Sequence, residues 1–200
     1  MSVDTSTIKV SKLDSARRQL RTAITLWFTD GDPVSIHTLV VAAYEIFHTV
    51  SKQRDPYRRD LLFDSDYIKD EYRRDWINLI KKNANFFKHA DRDPNDIAEF
   101  DPEMNMWFIV YSIVARGLCG EGQSQEESDF MWWFHVHRTK YLTDAGREML
   151  ANLWPANVVE FGRTWSKRHF YELLRDARIA GQTRDPDLMR KFAAIANYRL

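Results

Sequence analysis

A polar segment near the middle of the chain carries the residue types with the clearest chemical potential. From position 83 it reads Asn-Ala-Asn-Phe-Phe-Lys-His-Ala-Asp. On a helix, Asn85 and His89 would lie one turn apart on the same face, with Arg92 about one turn further along. Imidazole is suited to general acid and base catalysis, and cations can stabilise the negative charge of a reacting phosphate. The sequence places three lysines close by, at Lys81, Lys82 and Lys88.

This segment resembles the helix-borne motif of the HEPN superfamily, whose members are helical bundles. In its ribonucleases an Arg is followed about four to six residues later by a His. The resemblance implies metal-independent cleavage of RNA, commonly in a cleft formed by two subunits. Carried onto this chain, it makes His89 the acid or base, Asn85 its polar companion and Lys82 the cation, with further binding residues at Lys81, Lys88 and Arg92.

The chain departs from that motif at the arginine. Positions 82 to 84 hold Lys82, Asn83 and Ala84, and a lysine cannot reproduce the two-pronged hydrogen bonding of a guanidinium. Arg163 and His169 also match the spacing, as chance alone would produce in an arginine-rich chain. The alternative to catalysis is that His89 caps a helix end.

A second chemical candidate is the Glu-x-x-His pattern formed by Glu45 and His48, which is typical of di-iron helical bundles. Such sites need two copies of the pattern, and this chain contains one. His37 lies on the same predicted face but about 16 Å away, at 1.5 Å per residue. His135 and His137, on another predicted helix, could complete a site. We predict no metal and no cofactor, with a metal-binding bundle as the second alternative function.

A third feature is the run Met-Trp-Trp-Phe from position 131. Neighbouring side chains on a helix point about 100° apart, so these four cannot all face one core. Trp132 is therefore a candidate binding residue in a homodimer or partner interface. The alternative is that a C-terminal helical hairpin covers it.

Helices are expected throughout, because apolar residues recur at spacings of three and four. Capping signals mark six helix starts: Ser11 with Asp14, Asp32 with Pro33, Asp101 with Pro102, Ser124 with Glu127, Asn157 with Glu160, and Asp185 with Pro186. The predicted class is all-α, a bundle of about seven or eight helices with a C-terminal helical hairpin. Predicted domains are a bundle core over 1–154 and a helical extension over 155–200.

The predicted boundaries follow the breakers in the sequence. The first two helices, 11–29 and from 33 towards 50, are separated by a short connection that predicts an antiparallel pair. A long helix is predicted over 66–90, with seven residues on its inner side: Ile68, Tyr72, Trp76, Leu79, Ile80, Asn83 and Phe87. Three further helices are predicted to begin at residues 102, 124 and 143, and the one that begins at 102 is predicted to be the most buried. Another helix is predicted over 157–180, and the last one begins at residue 186.

Composition limits the functional classes. Lys and Arg total 29 against 29 Asp and Glu, so no net charge attracts nucleic acid or membranes. The single cysteine, Cys119, lies in an apolar run and predicts a buried thiol. The apolar run over 104–119 falls short of the ~20 residues of a bilayer span, and no secretory signal begins the chain. We predict a cytoplasmic, homodimeric interaction or binding protein, without a membrane and with RNA as a further candidate partner.

Overall fold

The computed structural model describes residues 7–57, 59–60, 62–65, 68–89, 94–153 and 156–183. These residues form helices and no strand, which confirms the predicted all-α class. They divide into two compact units, residues 7–27 with 31–123 (unit 1) and residues 28–30 with 124–183 (unit 2). The helices are α1 (Lys12–Phe28), α2 (Pro33–Arg54), α3 (Arg73–Lys88), α4 (Met104–Leu118), α5 (Gln125–His137), α6 (Asp144–Leu153), α7 (Ala156–Arg163) and α8 (Lys167–Thr183).

Three of the predicted helix starts are confirmed by capping hydrogen bonds. The start predicted at Asp101 and Pro102 is wrong, because α4 begins at Met104, with Glu103 as an N-cap whose side chain makes no capping bond. In the capping box of α1, the Asp14 N–H donates to the Ser11 hydroxyl at 3.1 Å and the Ser11 N–H donates back to the Asp14 carboxylate. Before α2, the Asp32 carboxylate accepts the Ser35 N–H at 2.7 Å. Each bond satisfies a donor that the first helical turn leaves without an intrahelical partner. The same reciprocal box forms at the start of α5, between Ser124 and Glu127.

Two of the predicted helices have different bounds in the structure. The helix expected over 66–90 begins only at Arg73, after a 3₁₀ turn over Asp70–Tyr72, and residues 66 and 67 lie outside the described part of the chain. The helix expected over 157–180 is two helices, α7 and α8, because the Ser166 hydroxyl accepts the His169 N–H and starts a new helix there. Helix α8 continues to Thr183, past the glycine predicted to end it. The predicted final helix, from residue 186, lies outside the described residues.

The centre of unit 1 is the contact between α2 and α4. Helix α2 has its most extensive contacts with α4 and the next most extensive with α3. The antiparallel α1–α2 pair predicted from the short connection is not among the helix pairs in extensive contact. Helix α4 buries seven residues, including Phe108, Ile109 and Ile113, in line with its predicted burial. Helix α2 is the one described helix long and apolar enough to cross a membrane, a test that the core helix of a soluble protein also passes. Eight of its residues are buried inside unit 1.

Candidate functional site

A cavity of about 450 Å³ opens in unit 1 along α2, α3 and α4. This size lies within the range of small-molecule sites. Its mouth is open, since Leu79 is 65% and Met104 43% exposed, although Leu79 was predicted to face the interior. The residues that line the cavity are mostly apolar or aromatic, and none of them carries a carboxylate, ammonium or guanidinium group: His37, Leu62, Trp76, Leu79, Ile80, Asn83, Met104, Trp107, Phe108 and Tyr111.

His37 is the polar group buried most deeply in this wall, with 2% of its surface exposed. Its Nδ1 lies 3.0 Å from Oδ1 of Asn105, which is itself buried in the first turn of α4. The orientation of that amide is set by its nitrogen, which donates to the Pro33 carbonyl at 2.9 Å. Because Oδ1 can only accept, His37 must carry a hydrogen on Nδ1.

The neutral state of His37 follows from its surroundings. Burial lowers the pKa of His37, and the positive charge of Lys88 lowers it further against the raising effect of the Asn105 hydrogen bond. With the hydrogen on Nδ1, the neutral ring offers a lone pair at Nε2. Nε2 is shielded from solvent and has no hydrogen-bond partner among the described residues. Such an unmet buried acceptor costs about 1–3 kcal/mol, and a donor that reached Nε2 would remove this cost.

Aromatic rings fix the position of the imidazole. Phe100 and Phe108 lie edge-on to it, with ring centroids 4.9 and 5.0 Å away, and Phe87 of α3 lies 5.8 Å away. Edge-to-face contacts at these separations stabilise one ring orientation. His37 is therefore held by packing as well as by Asn105.

The wall on the α3 side depends on the segment that precedes α3. Trp76 donates its indole N–H to the Leu62 carbonyl at 2.6 Å. Arg73 donates to the carbonyls of Phe63, Ser65 and Ile68, at 2.9 to 3.3 Å. These bonds use the backbone carbonyls of residues 62, 63, 65 and 68, which are therefore not available for the hydrogen bonds of an earlier helix start.

Asp60 holds the same segment against α2. One of its oxygens accepts the N–H groups of Leu62 and Asp64, both at 2.9 Å, while the other contacts Nδ1 of His48. Burial raises the pKa of Asp60, but the hydrogen bonds from His48, the two backbone N–H groups and Tyr44 outweigh it and lower the pKa to about 2. The ionised carboxylate thus positions Leu62, which lines the cavity.

The predicted catalytic residues lie on the exposed surface of α3. Lys82 and Asn85 are exposed, and so is His89, the C-cap residue. The backbone N–H of His89 donates to the Asn85 carbonyl at 3.0 Å. The spacing of three places Lys82 and Asn85 on one face of α3, whereas His89 follows the helix with an extended backbone conformation. None of them lines the cavity.

The predicted binding residues around them are dispersed. Lys88 is exposed, while Arg92 lies outside the described residues. Lys81 is half-buried, with its ammonium 2.7 Å from Glu45 and 5.0 Å from the centre of the Phe63 ring. The Lys81 ammonium is therefore engaged by α2 and by the segment before α3.

Glu45 and His48, the two residues of the predicted metal-binding pattern, have different partners in the structure. Glu45 pairs with Lys81, whereas His48 meets Asp60 and Asp64, and one ligand atom from each of these three lies within 4.8 Å of the others. Lys52 places its ammonium 3.0 Å from Asp64 and supplies positive charge that a metal ion would otherwise bring. The contacts of His48 with Asp60 and of Lys52 with Asp64 anchor the segment before α3 to α2. His135 and His137 belong to unit 2.

Trp132 is half-buried within α5 of unit 2, and its side chain or backbone has contacts among the described residues. The hairpin proposed to cover it includes residues 184–200, which lie outside the described part of the chain. A homodimer through Trp132 stays a prediction.

Sequence reasoning missed the pairing of His37 with Asn105. A signal for it was present, because Asn105 is a polar residue in the first turn of a helix predicted to be apolar nearly all round. Buried polar residues require partners, so such a residue indicates a second polar group on a packed neighbour. Which helix supplies that group depends on packing.

We compared the chain with protein-family models, with curated protein sequences and with solved structures, and none of the three comparisons gave a match. Function must therefore be inferred from the geometry of the described residues.

Proposed function

We propose that this protein binds a small, neutral and largely aromatic ligand in the unit 1 cavity, through one donated hydrogen bond to Nε2 of His37. The observation that carries this proposal is the buried, unpartnered Nε2 of His37, a residue of the mostly apolar cavity wall. Apolar pockets with few, well-placed polar groups are the usual form of small-molecule sites. The sequence predicts an interaction or binding protein, and this proposal adds the chemical class of the molecule that is bound.

Ligand neutrality follows from the lining. A charged ligand would lose its hydration on entering without meeting an opposite charge, which is strongly unfavourable. An aromatic ligand would instead contact Trp76, Trp107 and Phe108. Rings of this kind gain from edge-to-face and offset contacts in addition to the area they bury.

Phenol and anisole provide a matched pair of probes, because a methyl group replaces the hydroxyl hydrogen and removes the donor. We expect phenol to bind about five- to tenfold more tightly by calorimetry, since a net hydrogen bond contributes about 1–1.5 kcal/mol. Equal affinities for the two probes would contradict the role of Nε2.

Two substitutions on α3 test the location of the site. Asn83→Trp places a large side chain in the cavity wall, whereas Asn78→Trp makes the same change at an exposed position. We expect phenol binding to be lost in the first variant and kept in the second, with the melting temperatures recorded as a check of folding. Equal losses in both variants would place the probe elsewhere.

A HEPN-like ribonuclease is the second candidate. It is favoured by the exposure of Lys82 and Asn85 on α3 and of His89 at its C-cap, where RNA could reach all three. The expected result is cleavage of single-stranded RNA in the presence of a chelator, lost in His89→Ala and kept in His169→Ala. A wild-type protein that leaves the RNA intact would exclude this activity.

Homodimerisation and a cytoplasmic location stay predictions. Light scattering of the purified full chain tests the first of these, since a dimer doubles the scattering mass. The ligand proposal depends on unit 1 of a single chain, so it stands with either outcome.

A further inference from the structure

Unit 2 contains a cavity of its own, also of about 450 Å³, bounded by the 3₁₀ turn over Thr139–Tyr141 and by α6 and α7. Its lining differs in charge from that of unit 1. Lys140, Arg147 and Arg163 line it together with one carboxylate, that of Glu160. The cavity therefore has an excess of positive charge, although the whole chain is neutral.

Arg163 is held in place by described neighbours. Its Nε donates to the Val136 carbonyl at 3.0 Å and one terminal nitrogen donates to the Thr139 hydroxyl at 3.2 Å. These bonds use two of the five N–H groups of a guanidinium. A cation positioned in this way loses little conformational freedom when it binds an anion.

The other two cations come from separate elements. Arg147 of α6 lies 3.4 Å from Asp144, but both side chains are largely exposed, so solvent screens this pair and a ligand can compete with it. The Lys140 ammonium lies 4.8 Å from the centre of the Tyr141 ring. Convergence of three cations from three elements on one cavity distinguishes this site from a charged stripe along a single helix.

The remaining lining is apolar. Ala151, Ala156 and Val159 form part of the wall, and Val159 is buried. A purely inorganic anion would leave this surface without a contact. We propose that the unit 2 cavity binds a small organic anion, with a phosphate or carboxylate group at Arg147, Arg163 and Lys140 and an alkyl body against the apolar wall.

Calorimetry on the full chain with four probes tests this proposal: hexyl phosphate, hexanoate, inorganic phosphate and 1-hexanol. We expect hexyl phosphate and hexanoate to bind and hexanol to give no measurable heat. Inorganic phosphate should bind at least about tenfold more weakly than hexyl phosphate, because it lacks the buried alkyl chain. The stronger of hexyl phosphate and hexanoate identifies the preferred head group. Equal binding of hexanol and the anions would overturn the proposal.

Matched substitutions locate the site. Arg147→Gln removes one cation from the cavity, and we expect it to weaken hexyl phosphate binding about tenfold, the loss typical of one charge-assisted hydrogen bond. Arg175→Gln removes the same charge from an exposed position on α8, where its partner is Asp176, and should leave binding unchanged. Should Arg147→Gln fail to fold, Lys140→Gln replaces it with the same expectation. Equal effects of the cavity and control substitutions would overturn the proposal.

Discussion

Nδ1 of His37 lies 3.0 Å from Oδ1 of Asn105, and this hydrogen bond joins α2 to α4 across 68 positions of the chain. It fixes the tautomer of His37 and leaves Nε2 as an acceptor. His37 is one of the residues that line the unit 1 cavity, and the proposed ligand would donate to this acceptor.

The first prediction concerns the tautomer itself. In ¹⁵N-resolved NMR of the imidazole, we expect His37 to show a protonated Nδ1 and an unprotonated Nε2 at pH 7.5. A hydrogen on Nε2 would contradict the assignment and with it the proposed ligand donor.

A related prediction concerns stability. Asn105→Leu should lower the free energy of unfolding by about 2–3 kcal/mol, because it leaves the buried Nδ1–H of His37 without an acceptor. Denaturant unfolding measures this change. Asn78→Leu, on the exposed face of α3, is the control and should change stability by less than about 0.5 kcal/mol. Similar effects of the two changes would mean that the buried bond contributes little.

The lowered pKa of His37 predicts a pH dependence of stability. In the folded protein His37 stays neutral below pH 6.5, the ordinary pKa of a histidine in an unfolded chain. Just below that pH the unfolded chain therefore binds more protons than the folded protein. Its contribution is thus present above pH 6.5 and lost as the pH falls through the folded pKa, with a slope of up to about 1.4 kcal/mol per pH unit.

Urea unfolding at several pH values between 5 and 7.5 measures this slope. His135 and His137 have pKa values lowered by burial and contribute in the same direction. We therefore expect His37→Gln, which keeps a donor for Asn105 and does not titrate, to reduce the slope without abolishing it. An unchanged slope would show that His37 titrates normally.

Asp60 provides a prediction for the segment that bounds the cavity. Asp60→Asn should destabilise the protein by about 2 kcal/mol, because the pKa of this carboxyl is lowered from 3.8 to about 2 and each unit corresponds to about 1.4 kcal/mol. The contribution is present above pH 3.8 and lost as the pH falls through about 2.

Asp101→Asn is the matched control, since the exposed Asp101 accepts the Glu103 N–H at 3.0 Å in a similar local turn. Thermal unfolding at pH 7 compares the two variants. A loss no larger at Asp60 than at Asp101 would show that the buried charge does not anchor the segment.

The last prediction concerns the single thiol. Cys119 is 1% exposed and its sulfur donates to the Phe47 carbonyl at 3.2 Å, as expected for the buried thiol predicted from the sequence. A bulky disulfide reagent should therefore label the folded protein at least about a hundredfold more slowly than the urea-unfolded protein, because access requires opening of the core. Comparable rates would indicate that α4 opens readily at its end.

The sequence by itself determined the helical class and most helix starts. The capping interactions at Ser11, Asp32 and Ser124 join residues three positions apart, so their geometry is contained in a few consecutive letters. The common face of Lys82 and Asn85 on α3 follows in the same way from helical spacing, whereas the extended backbone of His89 was not foreseen.

Tertiary structure decided the rest. The late start of α3 depends on bonds from Arg73 and Trp76 to carbonyls of the preceding segment. The pairing of His37 with Asn105, and of Lys81 with Glu45, depends on which helix faces share the core of unit 1. Hydrophobic burial is non-directional and specifies only that an apolar face is covered, so the partners and the space left between them are set by packing.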